Sequence, residues 1–164
     1  MQLKAGLSTR MKRTPNAIRA LQVTLALIII PAISMAQVGV DETITYLNSK
    51  LLPEYELASK KNQLEVKGFR NGTQVKRDHV FINDLELETL AYIKEENAVR
   101  VKCFDNKNDC VERELFIDKA KSYRGRLVFE LKEGQDPEPI IKGLRHLLRL
   151  VQDGKKYQNQ NPFD

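Results

Sequence analysis

Residues 98–117, with the sequence AVRVKCFDNKNDCVERELFI, carry the clearest strand pattern in the chain. Val99, Val101 and Cys103 alternate with charged residues, and a second apolar run starts at Val111. A polar loop separates the two runs, and its Asp and Asn residues readily adopt turn conformations. The pattern predicts two antiparallel strands, each with one face on the core and one face in water.

The two cysteines of the chain, Cys103 and Cys110, flank this loop. Antiparallel neighbours at this spacing would lie opposite each other across a hairpin, within bonding range. We therefore expect a structural disulfide between them, because redox-active pairs usually have the C-x-x-C spacing. A zinc site would need more ligands than these cysteines and the scattered His79 and His146 provide. No metal and no cofactor are predicted.

The runs on either side of this segment complete the predicted sheet. Leu64 and Val66 alternate with charged residues, and Asn71-Gly72 is a strong hairpin signal. Further strand patterns lie at residues 75–82, 85–93 and 127–131, with a turn at residues 95–97. About six strands are expected in total.

The signals of a C-terminal helix are clear. Asp136 is expected to cap it, Pro137 to occupy the first position and Gly154 to end it. The apolar stripe consists of Ile140, Ile141, Leu144, Leu147, Leu148 and Val151. The opposite face, expected to be a charged outer surface, carries Lys142, Arg145, His146 and Arg149.

The predicted fold class is α+β, with a short N-terminal helix, about six antiparallel meandering strands and the C-terminal amphipathic helix packed on them. The strands are expected to form a bent sheet or partial barrel. The N-terminal helix begins at Glu42, capped by Asp41, and ends at Pro53. The domain boundaries follow as 37–61 for the short helix and linker, 62–153 for the sheet and C-terminal helix, and 154–164 for a flexible tail.

Residues 1–36 have the three parts of a secretory signal peptide. A basic region precedes the apolar run 21–30 (LQVTLALIII), and Ser34-Met35-Ala36 offers small residues for cleavage after Ala36. We therefore expect export to the periplasm or the extracellular space, with no transmembrane span after cleavage. The alternatives are an uncleaved membrane anchor and a true start at Met11.

Charge argues against a nucleic-acid partner. The chain has 27 basic and 22 acidic residues, and five of the basic ones lie in the first 36 residues, where no acidic residue occurs. Without those five, basic and acidic residues balance at 22 each. A balanced, mixed surface lacks the concentrated positive charge that phosphate neutralisation requires.

From Leu64 to about Val151 the order of elements resembles a pleckstrin-homology-like domain, whose bent sheet is plugged by a C-terminal helix. In membrane-binding members, basic residues around the first hairpin hold phosphoinositide phosphates. The similar positions here are Lys67, Arg70, Lys76 and Arg77. The chain departs from the family in having no Trp. Lys76 and Arg77 are also adjacent, so on a strand they would point to opposite faces. The resemblance therefore implies the fold, with these four residues as possible ligand contacts.

No catalytic residue is predicted, because neither histidine lies in a motif such as G-x-S-x-G or H-E-x-x-H. The carboxylate pairs Glu86/Glu88 and Glu112/Glu114 could suit acid/base chemistry, but such pairs usually face solvent on a half-buried sheet. We expect a binding module for a protein, peptide or small-molecule ligand. A structural or accessory envelope protein is the alternative, and an enzyme without a recognisable motif comes third.

Overall fold

The computed structural model describes residues 38–154, which form two helices and eight antiparallel strands in two sheets. The predicted α+β class is confirmed. The prediction for the signal segment 1–36 lies outside the described residues, as does that for the tail 154–164 apart from Gly154. The helices are α1 (Val40–Leu51) and α2 (Glu138–Gln152), and the strands are β1 (Tyr55–Lys60), β2 (Gln63–Arg70), β3 (Thr73–Phe81), β4 (Leu85–Ile93), β5 (Ala98–Cys103), β6 (Val111–Leu115), β7 (Ala120–Arg124) and β8 (Arg126–Glu130).

The strands form two open sheets and do not close into a barrel. The first sheet has the order β1-β2-β3-β6-β7 and the second the order β4-β5-β8. The chain leaves the first sheet after β3, returns to it after β5, and leaves it again between β7 and β8, where Gly125 is the single intervening residue. These crossings bring strands that are distant in the sequence together at one end of the first sheet.

Two of the eight strands, β1 and β7, go beyond the six that the sequence predicts. In β1 only Tyr55 and Leu57 are buried, and the rest of the strand has the polar composition of a linker. β7 is an edge strand in which four of the five residues are exposed. A strand with so little apolar surface leaves no clear period in the sequence.

The predicted disulfide joins Cys103 to Cys110, with 5.9 Å between the Cα atoms. The predicted hairpin between the two cysteines is wrong. β5 pairs with β4 and β8, whereas β6 pairs with β3 and β7, so the bond links the two sheets. Phe104 N–H donates to the Asp84 carbonyl (3.0 Å), one residue beyond the Leu85–Cys103 pair, so the end of β5 stays beside β4 while β6 pairs with β3.

Helix α2 packs against α1 and β4, and its apolar stripe fills the core as predicted. Gly143 permits the close approach of α1, because a Cβ atom there would lie 2.7 Å from Cδ2 of Leu47. Helix α2 begins at Glu138, one residue later than predicted, with Pro137 rather than Asp136 at the N-cap position. Asp136 Oδ1 still accepts a hydrogen bond from Glu138 N–H at 3.0 Å.

Helix α1 begins at Val40, two residues before the predicted start, so the prediction that Asp41 caps it is wrong and Asp41 lies in the first turn. Gly39 is the N-cap residue, and its N–H donates to the Glu42 carboxylate (2.9 Å).

The prediction that His146 lies on the charged outer face of α2 is wrong. His146 is buried, and its Nε2 lies 3.3 Å from the Val38 carbonyl oxygen. The residues that precede α1 cover this part of α2, and the sequence period of α2 alone could not reveal that contact. Burial lowers the pKa of the imidazole.

Candidate functional site

The four basic residues suggested by the family resemblance do not form one site. Lys76 and Arg77 point to opposite faces of β3, as strand alternation requires. Arg77 is opposite Lys67 in the β2–β3 register, on the outer face of the first sheet. Arg70, at the end of β2, lines a cavity together with Lys76. The four residues therefore form two separate pairs, Lys67 with Arg77 on the outer face and Arg70 with Lys76 at the cavity.

On the outer face, charged side chains pair with one another across the strands. Lys67 Nζ lies 2.7 Å from Glu56 Oε1, and the Arg77 guanidinium is bonded to Glu114. The hydrogen bond to Arg77 lowers the pKa of the Glu114 carboxyl. Glu112 lies 3.3 Å from Lys121 Nζ. The Glu112/Glu114 carboxylates are thus engaged in solvent-facing ion pairs, which contribute little to stability.

The inner face of the same sheet carries a buried ion pair. Asp78 on β3 is 0% exposed and is opposite Arg113 of β6 in the strand register. Arg113 donates to both carboxylate oxygens, from Nε at 2.7 Å and from Nη2 at 2.8 Å. These hydrogen bonds raise the pKa of Arg113. The bidentate geometry fixes the position of the Arg113 guanidinium.

Lys76 lies on the same face, two residues before Asp78. Its side chain runs over Gly68, where a Cβ atom would lie 2.7 Å from Cγ of the lysine, and its Nζ lies 5.2 Å from the centre of the Tyr55 ring. Burial, and secondarily the Arg113 charge, lower the pKa of Lys76. Among residues 38–154, no carboxylate forms an ion pair with Lys76.

Tyr55 connects the first sheet to β8. Its hydroxyl oxygen accepts a hydrogen bond from Glu130 N–H (2.9 Å), and its ring meets Phe129 edge-on at 5.5 Å. Burial raises the pKa of the Tyr55 hydroxyl to about 12, so the group remains protonated at neutral pH. This contact holds the β8 backbone at Glu130 beside the Tyr55 ring, over which Lys76 lies.

Two cavities share Lys76 and Glu130 as lining residues. The smaller one, of about 240 Å³, is lined by Tyr55, Gly68 and Arg70 among others. The larger one, of about 410 Å³, lies between β8 and the inner face of β3 and β6. We call the larger cavity the basic cleft. Its charged lining residues are Lys76, Arg113, Arg124, Arg126, Glu96 and Glu130.

Three of the cations of the basic cleft, Arg113, Arg124 and Arg126, were missed by sequence reasoning. They lie on three different strands, β6, β7 and β8. Strand alternation indicates which residues of one strand share a face, but the order of the strands in the sheet comes from long-range pairing. Nothing local in the sequence therefore marks these arginines as neighbours of Lys76.

Within residues 38–154, no group of three or more His, Cys, Asp or Glu side chains could hold a metal ion. Neither described helix has the length and apolar character needed to cross a membrane. Comparisons with protein-family models, with curated proteins and with solved structures found no match. The pleckstrin-homology-like resemblance therefore stays a prediction.

Proposed function

We propose that the protein is an exported, non-catalytic binding module whose basic cleft holds a small anionic ligand. The observation that carries this proposal is Lys76, a half-buried residue in the wall shared by two cavities. Among the described residues, Asp78 and Glu130 attract its charge only from a distance, and no carboxylate forms an ion pair with it. Removing a cation from water is costly unless an anion pairs with it. An anionic group of a ligand would supply that partner.

The dimensions and rigidity of the cleft support a small-molecule ligand. A volume of about 410 Å³ lies within the range of small-molecule sites, roughly 300–1,000 Å³. The Asp78–Arg113 pair and the Tyr55–Glu130 hydrogen bond hold the walls in place without a ligand. A preformed site loses less conformational entropy when it binds.

Export is supported by the disulfide, because such bonds persist in oxidising compartments and are rare in the cytosol. The proposal predicts that N-terminal sequencing of the protein recovered from the periplasm or medium will begin at Gln37. Recovery of the intact N-terminus in a membrane fraction would favour the anchor alternative.

Anion binding can be tested by thermal unfolding in the presence of phosphate, citrate, succinate and glutamate. The protein is purified after expression of the full chain under oxidising conditions. A ligand at a hundred times its Kd stabilises by about 2.7 kcal/mol, so a rise in the unfolding temperature is expected. Lys76→Met should abolish the rise. Lys60→Gln is the matched control, because Lys60 is five residues from Tyr55, at the other end of β1. If no anion shifts the wild-type transition, the proposal fails.

The accessory-protein alternative is supported by exposed apolar residues in and before the edge strand β7. Phe116 and Ile117, between β6 and β7, are 39% and 72% exposed, and Tyr123 in β7 is 63% exposed. Exposed apolar residues beside an open strand edge are typical of protein contacts. An Ile117→Glu variant separates the two functions, because it should weaken capture of an envelope partner without changing anion binding.

A further inference from the structure

The charges of the basic cleft do not all have partners within the protein. Glu96 is shared by Arg100, at 3.3 Å, and Arg126, at 3.7 Å. Asp78 accepts both of its bonds from Arg113. The side chains of Lys76, Arg124 and Glu130 form no ion pair with any residue of the described range. The Glu130 carboxylate attracts Lys76 and Arg113 from beyond ion-pair distance. Two cations and one carboxylate therefore line the cleft without a direct ion-pair partner, and a ligand can lie between them.

A complementary ligand would present the opposite charges. We infer that the ligand of the basic cleft carries two anionic groups and one ammonium group, as an acidic amino acid does. This inference rests on the proposed function and assigns its ligand class. The anionic groups would pair with Lys76 and Arg124, and the ammonium group with Glu130.

A ligand with one anionic group would leave either Lys76 or Arg124 unpaired. A ligand with two anionic groups and no cation would bring a carboxylate near Glu130, whose own carboxylate would then be unpaired and repelled. Electrostatic complementarity of this kind governs specificity more than total affinity. The charge pattern therefore selects against simple diacids and against neutral amino acids.

Isothermal titration of the purified protein with three compounds of matched length tests the inference. L-glutamate has all three charged groups, glutarate lacks the ammonium, and L-glutamine has a neutral amide in place of the side-chain carboxylate. L-glutamate should bind about tenfold or more tightly than either of the other two, because a lost charge-assisted bond costs roughly 1.5–3 kcal/mol. L-aspartate and L-2-aminoadipate extend the test to other spacings of the same groups.

Variants assign each group of the ligand to its residue. Glu130→Gln should bring the affinities of glutamate and glutarate to within about twofold of each other, leaving the preference over glutamine intact. Arg124→Gln should instead remove the preference for glutamate over glutamine. Both residues are exposed, so these variants are expected to fold, and circular dichroism melting checks this. Lys60→Gln should leave all three affinities unchanged.

The outcomes separate this inference from the proposed function. If glutarate binds as tightly as glutamate, the inferred ligand class is wrong but anion binding stands. The same holds if phosphate or citrate stabilises the protein while L-glutamate, L-aspartate and L-2-aminoadipate all fail to bind. If no anion of either panel binds, both proposals fail. If affinity is retained in both Arg124→Gln and Lys76→Met, the ligand lies outside the basic cleft and the inference is overturned.

Discussion

The buried ion pair between Asp78 and Arg113 is expected to affect the free energy of unfolding strongly, and mutation of either partner tests this. Asp78 is 0% exposed, whereas the Arg113 side chain is 18% exposed. Removing one partner of a buried pair costs about 3–5 kcal/mol, because the other charge is left uncompensated. Arg113→Met leaves a carboxylate with no access to water, so we expect a loss of about 4 kcal/mol. Asp78→Asn leaves a guanidinium that water can still reach, so the loss should lie near the lower limit of about 3 kcal/mol or below it.

Urea unfolding monitored by circular dichroism measures these differences. With a denaturant dependence of about 1–3 kcal/mol per molar, a loss of about 4 kcal/mol lowers the midpoint by more than about 1 M. The double variant Asp78→Leu/Arg113→Met should be more stable than Arg113→Met alone, because it leaves no buried charge unpaired. If Arg113→Met costs less than about 1 kcal/mol, or if the double variant is the less stable of the two, the account of this pair is refuted.

Three further predictions concern the disulfide, His146 and Gly68. The Cys103→Ser/Cys110→Ser variant should have a free energy of unfolding about 2.5 kcal/mol lower than the wild type, because the disulfide joins residues only seven positions apart and closes a short loop. A loss above about 5 kcal/mol in urea unfolding would show that the link between the two sheets contributes more than loop closure. Burial lowers the folded-state pKa of His146 below 6.5, so the unfolded chain binds more protons as the pH falls. The wild type should therefore lose more stability than His146→Gln between about pH 7.5 and about pH 5.5, and equal losses in the two proteins would contradict this. Gly68→Ala should displace the Lys76 side chain, because the new Cβ would lie 2.7 Å from the lysine Cγ. Titration calorimetry should then show weaker anion binding. Unchanged affinity would mean that Lys76 does not contact the ligand.

Strong local signals account for what the sequence predicts correctly. Asn71 and Gly72 both have positive φ in the β2–β3 turn, which is the backbone that an Asn-Gly pair favours. The apolar stripe of α2 needs no partner to be recognised, because its period is internal to the helix. The same reasoning fails for β1 and β7, whose polar residues resemble a linker and whose pairing depends on strands elsewhere in the chain.

The candidate site was predicted only in part, and for a related reason. Lys76 was one of four residues suggested by the family resemblance, but Arg113 becomes its neighbour only because β6 returns to the first sheet beside β3. The sequence suggests that residues 104–109 form a hairpin tip, which would place β6 beside β5. In the structure β6 pairs instead with β3 and β7, and the pairing with β3 joins segments that are distant in the sequence.

Lys76 should limit the stability of the unliganded protein. Its pKa is lowered mainly by burial, so the folded state disfavours the ammonium form relative to water. Lys76→Met keeps the length and apolar contacts of the side chain while it removes the charge, although it also removes the contact with the Tyr55 ring. We expect the free energy of unfolding of this variant, measured in urea, to be about 1 kcal/mol higher than that of the wild type. The variant should also lose anion binding. Lys60→Met is the control for a fully solvated lysine and should change stability by less than about 0.5 kcal/mol. If Lys76→Met is less stable than the wild type, the ammonium group is already well satisfied within the protein, and the main support for a ligand in the basic cleft is lost.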